Sequence, residues 1–316
     1  MPINHERILS PAIKLLLLGV AAPLAIALGL CAGALPDDDA LAAQILWQLR
    51  GPRVAAAFAC GGLLALAGAL MQTLFRNPLA EPYLLGVSGG AGLMALLGMA
   101  AGLAWPWVSA LAFIGSLLAL MLAALFGGRL LARDHTPLLL AGVMLAAGFG
   151  ALIALVLSLT PAEQLPGMLF FLMGDLSWPA NPGLLWAALI LAVAAAFSLA
   201  RRLDVLQLSP LKAASLGVAV APTRWALFVL SGACTALVVA QAGSIGFVGL
   251  MVPHALRRLG LNGHRHLLPA AALAGGSLLV LADALARTVA EPRELPVGVL
   301  TALLGVPFML WLLRKP

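Results

Sequence analysis

Residues 82–128 read PYLLGVSGGAGLMALLGMAAGLAWPWVSALAFIGSLLALMLAALFGG, without an Asp, Glu, Lys, Arg or His anywhere along the run. One membrane-crossing helix needs about 20 apolar residues, so the run is too long for one helix and supplies two. It divides at Trp105-Pro106-Trp107, because proline disfavours a helix interior and tryptophan suits the membrane–water interface.

The remainder of the chain repeats this pattern. Of 316 residues, 63% are hydrophobic and 9% charged, with a mean hydropathy of +1.07, whereas soluble domains carry roughly 25% charged residues. Further runs free of ionisable side chains lie at 15–36, 54–75, 136–162, 176–200, 225–253, 267–282 and 295–313. The 225–253 run, continued to Leu256, also reads as two elements. A regular helix from about Trp225 to Gln241 is followed by a segment that Gly243, Gly246, Gly249 and Pro253 interrupt. The expectation is an all-α polytopic membrane protein with about ten transmembrane helices in a single domain, 1–316. No polar stretch is long enough for a catalytic, nucleotide-binding or nucleic-acid-binding domain outside the membrane. The net charge of +6 is therefore not read as a sign of a nucleic-acid partner.

With the N-terminus in the cytoplasm, the outside segments keep only Arg50, Arg53, Arg287 and Arg293 of the 18 Lys and Arg. This asymmetry obeys the positive-inside rule and makes both termini cytoplasmic. Most acids, including Asp37, Asp38, Asp39, Glu163, Asp175, Glu291 and Glu294, fall outside. Arg7 and Lys14 before an apolar run look like the start of a secretory signal, but the run is long enough to span and counts as the first membrane helix. Pro52, Arg53 and Gly61 are echoed by Pro222, Arg224 and Gly232. The first of these helices runs inward and the second outward, the arrangement of an inverted repeat and a pointer to a transporter.

Ionisable groups at membrane depth are few. Asp283 is the acid well inside a span, and Arg287 stands four residues later on the same helix face, where the two can pair; the pair reads as structural or as part of gating. Cys31, Cys60 and Cys234 are isolated and supply neither a disulfide framework nor a metal site. No catalytic motif, metal motif or P-loop is present, so if ATP powers the protein, another chain binds it. The longest cytoplasmic connection, 201–224, carries a short amphipathic helix. Ser209 can cap it, Pro210 fits its first turn and Gly217 can end it after Leu216. Leu208, Leu211 and Ser215 share one side, which suits either a groove on a partner or the lipid headgroups. Arg50-Gly51-Pro52-Arg53 and Arg293 could pair with carboxylates of a soluble partner or simply anchor at the interface. An inverted repeat alone would equally suit an ion-coupled secondary transporter, which needs coupling-ion ligands at mid-membrane.

Several long motifs stand in order: Arg50-Gly51-Pro52-Arg53, Arg76-Asn77-Pro78-Leu79-Ala80-Glu81-Pro82, Leu85-Gly86-Val87-Ser88, Gly246-Phe247-Val248-Gly249-Leu250-Met251-Val252-Pro253-His254, His264-Arg265-His266-Leu267-Leu268-Pro269 and Leu295-Pro296-Val297-Gly298. Over nearly its whole length the chain resembles the FecCD, or B12-importer, permeases of ATP-binding-cassette importers for cobalamin, iron-siderophores and haem.

The resemblance implies an inverted-repeat importer permease fold of type II in the inner membrane. It implies half of a homodimeric pore, served by two cytoplasmic ATPase subunits that bind ATP and Mg, and by a periplasmic binding protein. This chain itself would hold no cofactor, metal or catalytic residue, and its cargo would be an iron chelate or cobalamin. Leu208, Ser209, Leu211, Lys212, Leu216 and Gly217 would belong to the coupling helix docked on the ATPase. Arg50, Arg53 and Arg293 would meet the binding protein. Asn77, Leu79, His135 and Thr136 would form a cytoplasmic gate, and the 164–174 segment, with Phe170 and Phe171, would cap the pathway outside. Ser209-Pro210 stands where the family often has Gly followed by an acid, and His135-Thr136 where it often pairs two hydroxyl residues.

Overall fold

The computed structural model describes residues 10–34, 36, 38–127, 136–177, 181–208 and 210–314. Among them, thirteen α-helices follow in chain order: α1 (Pro11–Cys31), α2 (Asp39–Gln44), α3 (Gly51–Phe75), α4 (Val87–Ala100), α5 (Trp105–Phe126), α6 (Thr136–Leu159), α7 (Leu165–Met173), α8 (Pro182–Leu206), α9 (Pro210–Ser215), α10 (Val220–Ala242), α11 (Val248–Arg258), α12 (His264–Thr288) and α13 (Val297–Arg314). A π-helical turn, Ile45–Arg50, joins α2 to α3, so one continuous rod runs from Asp39 to Phe75. Seven helices are long and apolar enough to cross a membrane, and α4, α11 and α13 are shorter.

The expected breaks form, with shifts that have physical causes. α4 ends at Ala100, a turn at 101–104 follows, and α5 begins at Trp105 with Pro106 in its first turn, where a missing N–H costs nothing. In the second long run, Gly243 closes α10 at φ 69°, a conformation glycine adopts without strain. Only 243–247 is non-helical. Gly249 and Pro253, expected to interrupt the segment, instead lie inside α11. Pro253 has no N–H to bond the Gly249 carbonyl one turn back, and that carbonyl accepts from Gln72 Nε2 of α3 at 3.5 Å instead.

The centre of the bundle is α3, buried along nearly its whole length from Val54 to Phe75. Lipid offers apolar helices no hydrophobic reason to associate, so close backbone approach through small residues must do so. A Cβ on Gly61 would lie 2.2 Å from the Gly275 carbonyl of α12, and one on Gly68 would lie 1.8 Å from the Gly249 carbonyl of α11. α10 joins the same core through Ser231, whose hydroxyl donates to the Ala67 carbonyl at 3.0 Å. α4 and α5 form a second tight pair across Gly90 and Gly115. α6 packs on this pair and leaves most of its surface open.

Candidate functional site: two polar clusters joined by α12

α12 spans 25 residues, about 37 Å at 1.5 Å per residue, and carries a polar cluster near each end. Near its C-terminal end, the fully buried Asp283 carboxylate accepts from two arginines. Arg53 of α3 donates through Nε at 3.0 Å and contributes Nη2 at 2.9 Å, and Arg287 donates through Nε at 3.2 Å. Arg53 Nη1 also reaches Glu294 Oε2 at 2.7 Å, and Arg287 Nη2 donates to the Gly29 carbonyl of α1 at 2.7 Å. Glu294, in the loop before α13, is partly buried, which favours protonation. The hydrogen bond and charge of Arg53, the Ser177 hydroxyl and the charge of Arg287 nonetheless hold its carboxyl below the usual carboxylate range. One buried carboxylate thus ties together α1, α3, α12 and the entry to α13.

The three arginines of the sequence reading separate here. Arg53 faces inward, with a side chain 13% exposed, because Asp283 and Glu294 claim it; contact with a soluble partner would require breaking those bonds. Arg50 donates to the Leu30 and Ala34 carbonyls, and Arg293 is exposed. Arg50, Arg53 and Arg287 line a cavity of about 340 Å³ with Glu291 and Glu294.

Near the N-terminal end of α12, His264 is fully buried. Its backbone N–H donates to Asp204 Oδ1 at 2.9 Å, its Nδ1 lies 2.6 Å from the same oxygen, and its Nε2 lies 2.8 Å from Thr73 Oγ1 of α3. Asp204 therefore caps α12 from the last turns of α8, where the chain enters the 201–224 connection. A carboxylate at a helix N-terminus also complements the helix dipole. Arg76 caps α3 in the left-handed conformation at φ 49° and donates to the Leu206 carbonyl at 3.0 Å. Gln72 bonds both Arg257 and the Leu250 carbonyl, tying α3 to α11.

In the 201–224 connection, α9 covers Pro210–Ser215. Gly217 N–H bonds to the Ala214 carbonyl and Val218 N–H to the Ala213 carbonyl, a Schellman closure with Gly217 at φ 80°. Ala213 is buried, while Leu208, Leu211 and Leu216 are 59%, 70% and 62% exposed and Lys212 is exposed. Three exposed leucines around one helical turn form an apolar tip. Ser209 lies outside the described residues.

The expected gate is described in part. Asn77 Oδ1 accepts from Leu79 N–H at 2.9 Å, and Leu79 is exposed. The following 3-10 turn, Pro82–Leu85, packs on α6, where a Cβ on Gly142 would lie 2.1 Å from the Leu84 carbonyl. His135 and the side chain of Thr136 lie outside the described part. In the 164–174 segment, Phe171 is buried edge-on against Trp105 with centroids 6.1 Å apart, and Phe170 is half-buried.

The model of the FecCD transport family matches residues 11–315. The chain belongs to the FecCD transport family. Among its relatives, the vitamin B12 import system permease protein BtuC of Escherichia coli O127:H6 (strain E2348/69 / EPEC) is 40% identical over 312 residues, covering 95% of this chain and 94% of BtuC. The uncharacterized ABC transporter permease protein YvrB of Bacillus subtilis (strain 168) is 38% identical, covering 90% of this chain and 82% of YvrB. A solved structure described as an inward-facing metal-chelate type ABC transporter superposes with a TM-score of 0.87 at 32% identity, covering 97% of this chain and all of the other. PsaBC from Streptococcus pneumoniae shares the fold at a TM-score of 0.60 and 17% identity. The chain is thus a multi-pass permease of the FecCD and BtuC type.

Two acids that the sequence reading gave no role, Asp204 and the Glu81 of one of its motifs, hold backbone in place. Asp204 is the lone acid of the 201–224 connection, a signal that could have singled it out. Glu81 accepts the Phe247 N–H at 2.8 Å, holding that aromatic residue at φ 68°, a strained conformation that needs such support. Among the described residues, no group of three or more His, Cys, Asp or Glu could hold a metal ion.

Proposed function

We propose that this chain is the membrane-spanning half of a homodimeric ATP-binding-cassette importer, carrying an iron chelate or cobalamin inward by alternating access. Two cytoplasmic ATPase subunits bind ATP and Mg, a periplasmic binding protein delivers the cargo, and this chain has no ATPase site of its own. The whole of 1–316 acts as one permease domain in the inner membrane with both termini cytoplasmic. Cargo selection falls mainly to the binding protein, and a pathway poor in charge suits a bulky chelate that must be released.

The observation that carries the proposal is the exposed leucine tip at Leu208, Leu211 and Leu216 on a helix anchored by buried Ala213. A family permease presenting such a tip at the end of α8 has a handle by which a cytoplasmic motor can move the bundle. Asp204 then links that handle to α12, and Asp283 links α12 to the face where Arg50 and Arg293 would meet the binding protein. The test is a mild-detergent pull-down of the tagged chain, with identification of co-purifying proteins and an ATPase assay. A stoichiometric P-loop ATPase that is lost from the folded Leu211→Asp/Leu216→Asp variant supports the proposal. A chain that comes out alone and without ATPase activity in several detergents overturns it in favour of an ion-coupled carrier.

A further inference from the structure

A cavity of about 590 Å³ opens between the first turns of α5, the start of α8 and the last turns of α10. Its polar groups gather at one end. Ser109 lies one turn into α5, and Gln241 lies at the end of α10, its Oε1 accepting the backbone N–H of Asn181 at 2.9 Å. One turn further along α5 and α10 the lining is apolar, with Phe113 and Leu237, and Leu184 adds an apolar wall from the first turn of α8.

Ser109 is 6% exposed, and among the described residues its Oγ is the one buried hydroxyl without a hydrogen-bond partner. Elsewhere in this bundle such groups bond back to their own helix, as Thr235 and Ser277 do, or across to a neighbour, as Ser116 and Ser231 do. A buried hydroxyl without a partner is unusual in a native fold. With Gln241 Oε1 already engaged, the amide Nε2 of the same side chain offers donors to the same cavity.

We propose that the cavity is a binding site for one membrane glycerophospholipid, whose ester carbonyls accept from Ser109 Oγ and Gln241 Nε2 while an acyl chain lies along Phe113, Leu184 and Leu237. The depth order matches: the two donors lie within the end turns of α5 and α10, where the ester region of a bilayer sits, Phe113 and Leu237 lie one turn further in, and Leu184 walls the side from the first turn of α8. Pro106, Ala110 and Leu184 are exposed, so the site opens sideways to lipid. The site requires only that these three helix ends share one membrane surface, so it stands apart from the cargo and the motor.

The test uses the intact permease in liposomes containing phosphatidylethanolamine with a diazirine on one acyl chain, with the adducts mapped by mass spectrometry. Labelling is expected to concentrate on the cavity-facing turns of α5, α8 and α10. Filling the cavity with Ala110→Trp should reduce that labelling at least about fivefold while leaving other lipid-facing helices unchanged. Ser109→Ala/Gln241→Leu should weaken retention of the ester lipid by about fivefold or more, the scale of a lost hydrogen bond or two. The same double variant should not affect an ether-linked analogue, which lacks the carbonyls. Labelling spread evenly over the helices, or equal retention of ester and ether lipids by the unaltered chain, overturns the proposal. So does a disulfide between two copies of Ala110→Cys, which would make the cavity a contact between protomers.

Discussion

α3 and α6 are close in length, 25 and 24 residues, and close in mean hydropathy over their spans, 2.1 and 2.5. Yet 94% of the apolar window around α3 is buried against 6% of that of α6. Hydropathy states only that a segment prefers lipid or protein to water. Which of the two surrounds it depends on how closely other backbones can approach, and that is a matter of glycine placement and shape. The glycines of α3 sit against carbonyls of α11 and α12, whereas Gly148 and Gly150 of α6 have nothing within 4 Å. α6 also walls an open apolar cavity of about 770 Å³ with α5, a face suited to the second copy that the proposed homodimer requires.

The strongest way to break this contrast is to enlarge one glycine in each helix. Gly68→Leu forces carbon into the Gly249 carbonyl and should abolish monodisperse protein after detergent extraction. Gly150→Ala should not lower yield or melting temperature, because nothing lies within 4 Å of the added carbon and alanine favours a helix interior over glycine by about 0.5–1 kcal/mol. If both variants fold equally well, close packing at α3 is not what orders the bundle.

Asp283→Ala removes the carboxylate shared by Arg53 and Arg287 and should destabilise by about 3–5 kcal/mol, the cost of leaving a buried charge without its partner. The loss would be read from thermal unfolding in detergent. A drop no larger than about 0.5 kcal/mol, the range of ordinary surface substitutions, would mean that the Asp283 cluster does not anchor α3. At the opposite end of α12, His264→Ala leaves Asp204 and Thr73 without the imidazole and should cost about 1–3 kcal/mol. Hydrogen exchange should show the added mobility at the end of α8 and the start of α12, and none in α6.

The smallest effect concerns Glu294, which holds the N-terminal end of α3 only through Arg53. Its folded-state pKa lies below the ordinary value, so its contribution is complete above about pH 4.3 and fades as pH falls through the lower folded-state pKa. The melting-temperature gap between the unaltered chain and Glu294→Gln should therefore be constant near neutral pH and close on acidification. A gap that widens in acid would reverse the sign of the shift.

Much of the architecture was legible because membrane solvent imposes simple rules. Long runs without charge mark spans, Trp105-Pro106-Trp107 marks a turn, and Gly243 marks the end of α10. The six motifs pointed to the family. The fine structure of the sites was less legible. Arg53 and Arg50 look alike in Arg50-Gly51-Pro52-Arg53, but only Arg53 lies within reach of Asp283, 230 residues away. Asp204 meets His264 across 60 residues, and nothing local announces that an acid on α8 will cap α12. Pro253 and Gly249 read as breaks because both are poor helix formers, yet α11 keeps Gly249 because it must admit α3, and keeps Pro253 because the carbonyl it leaves unbonded accepts from Gln72.

By itself the sequence determined that the chain lives in the membrane, roughly how many times it crosses, and which family it joins, since these depend on sums and spacings along one strand of residues. Only the tertiary structure decided which apolar helix lies at the centre, which arginine turns inward, and which polar groups share a partner. Those outcomes depend on distances between segments remote in the chain, and in lipid, where every apolar surface is equally at home, close packing and a few buried hydrogen bonds choose among them.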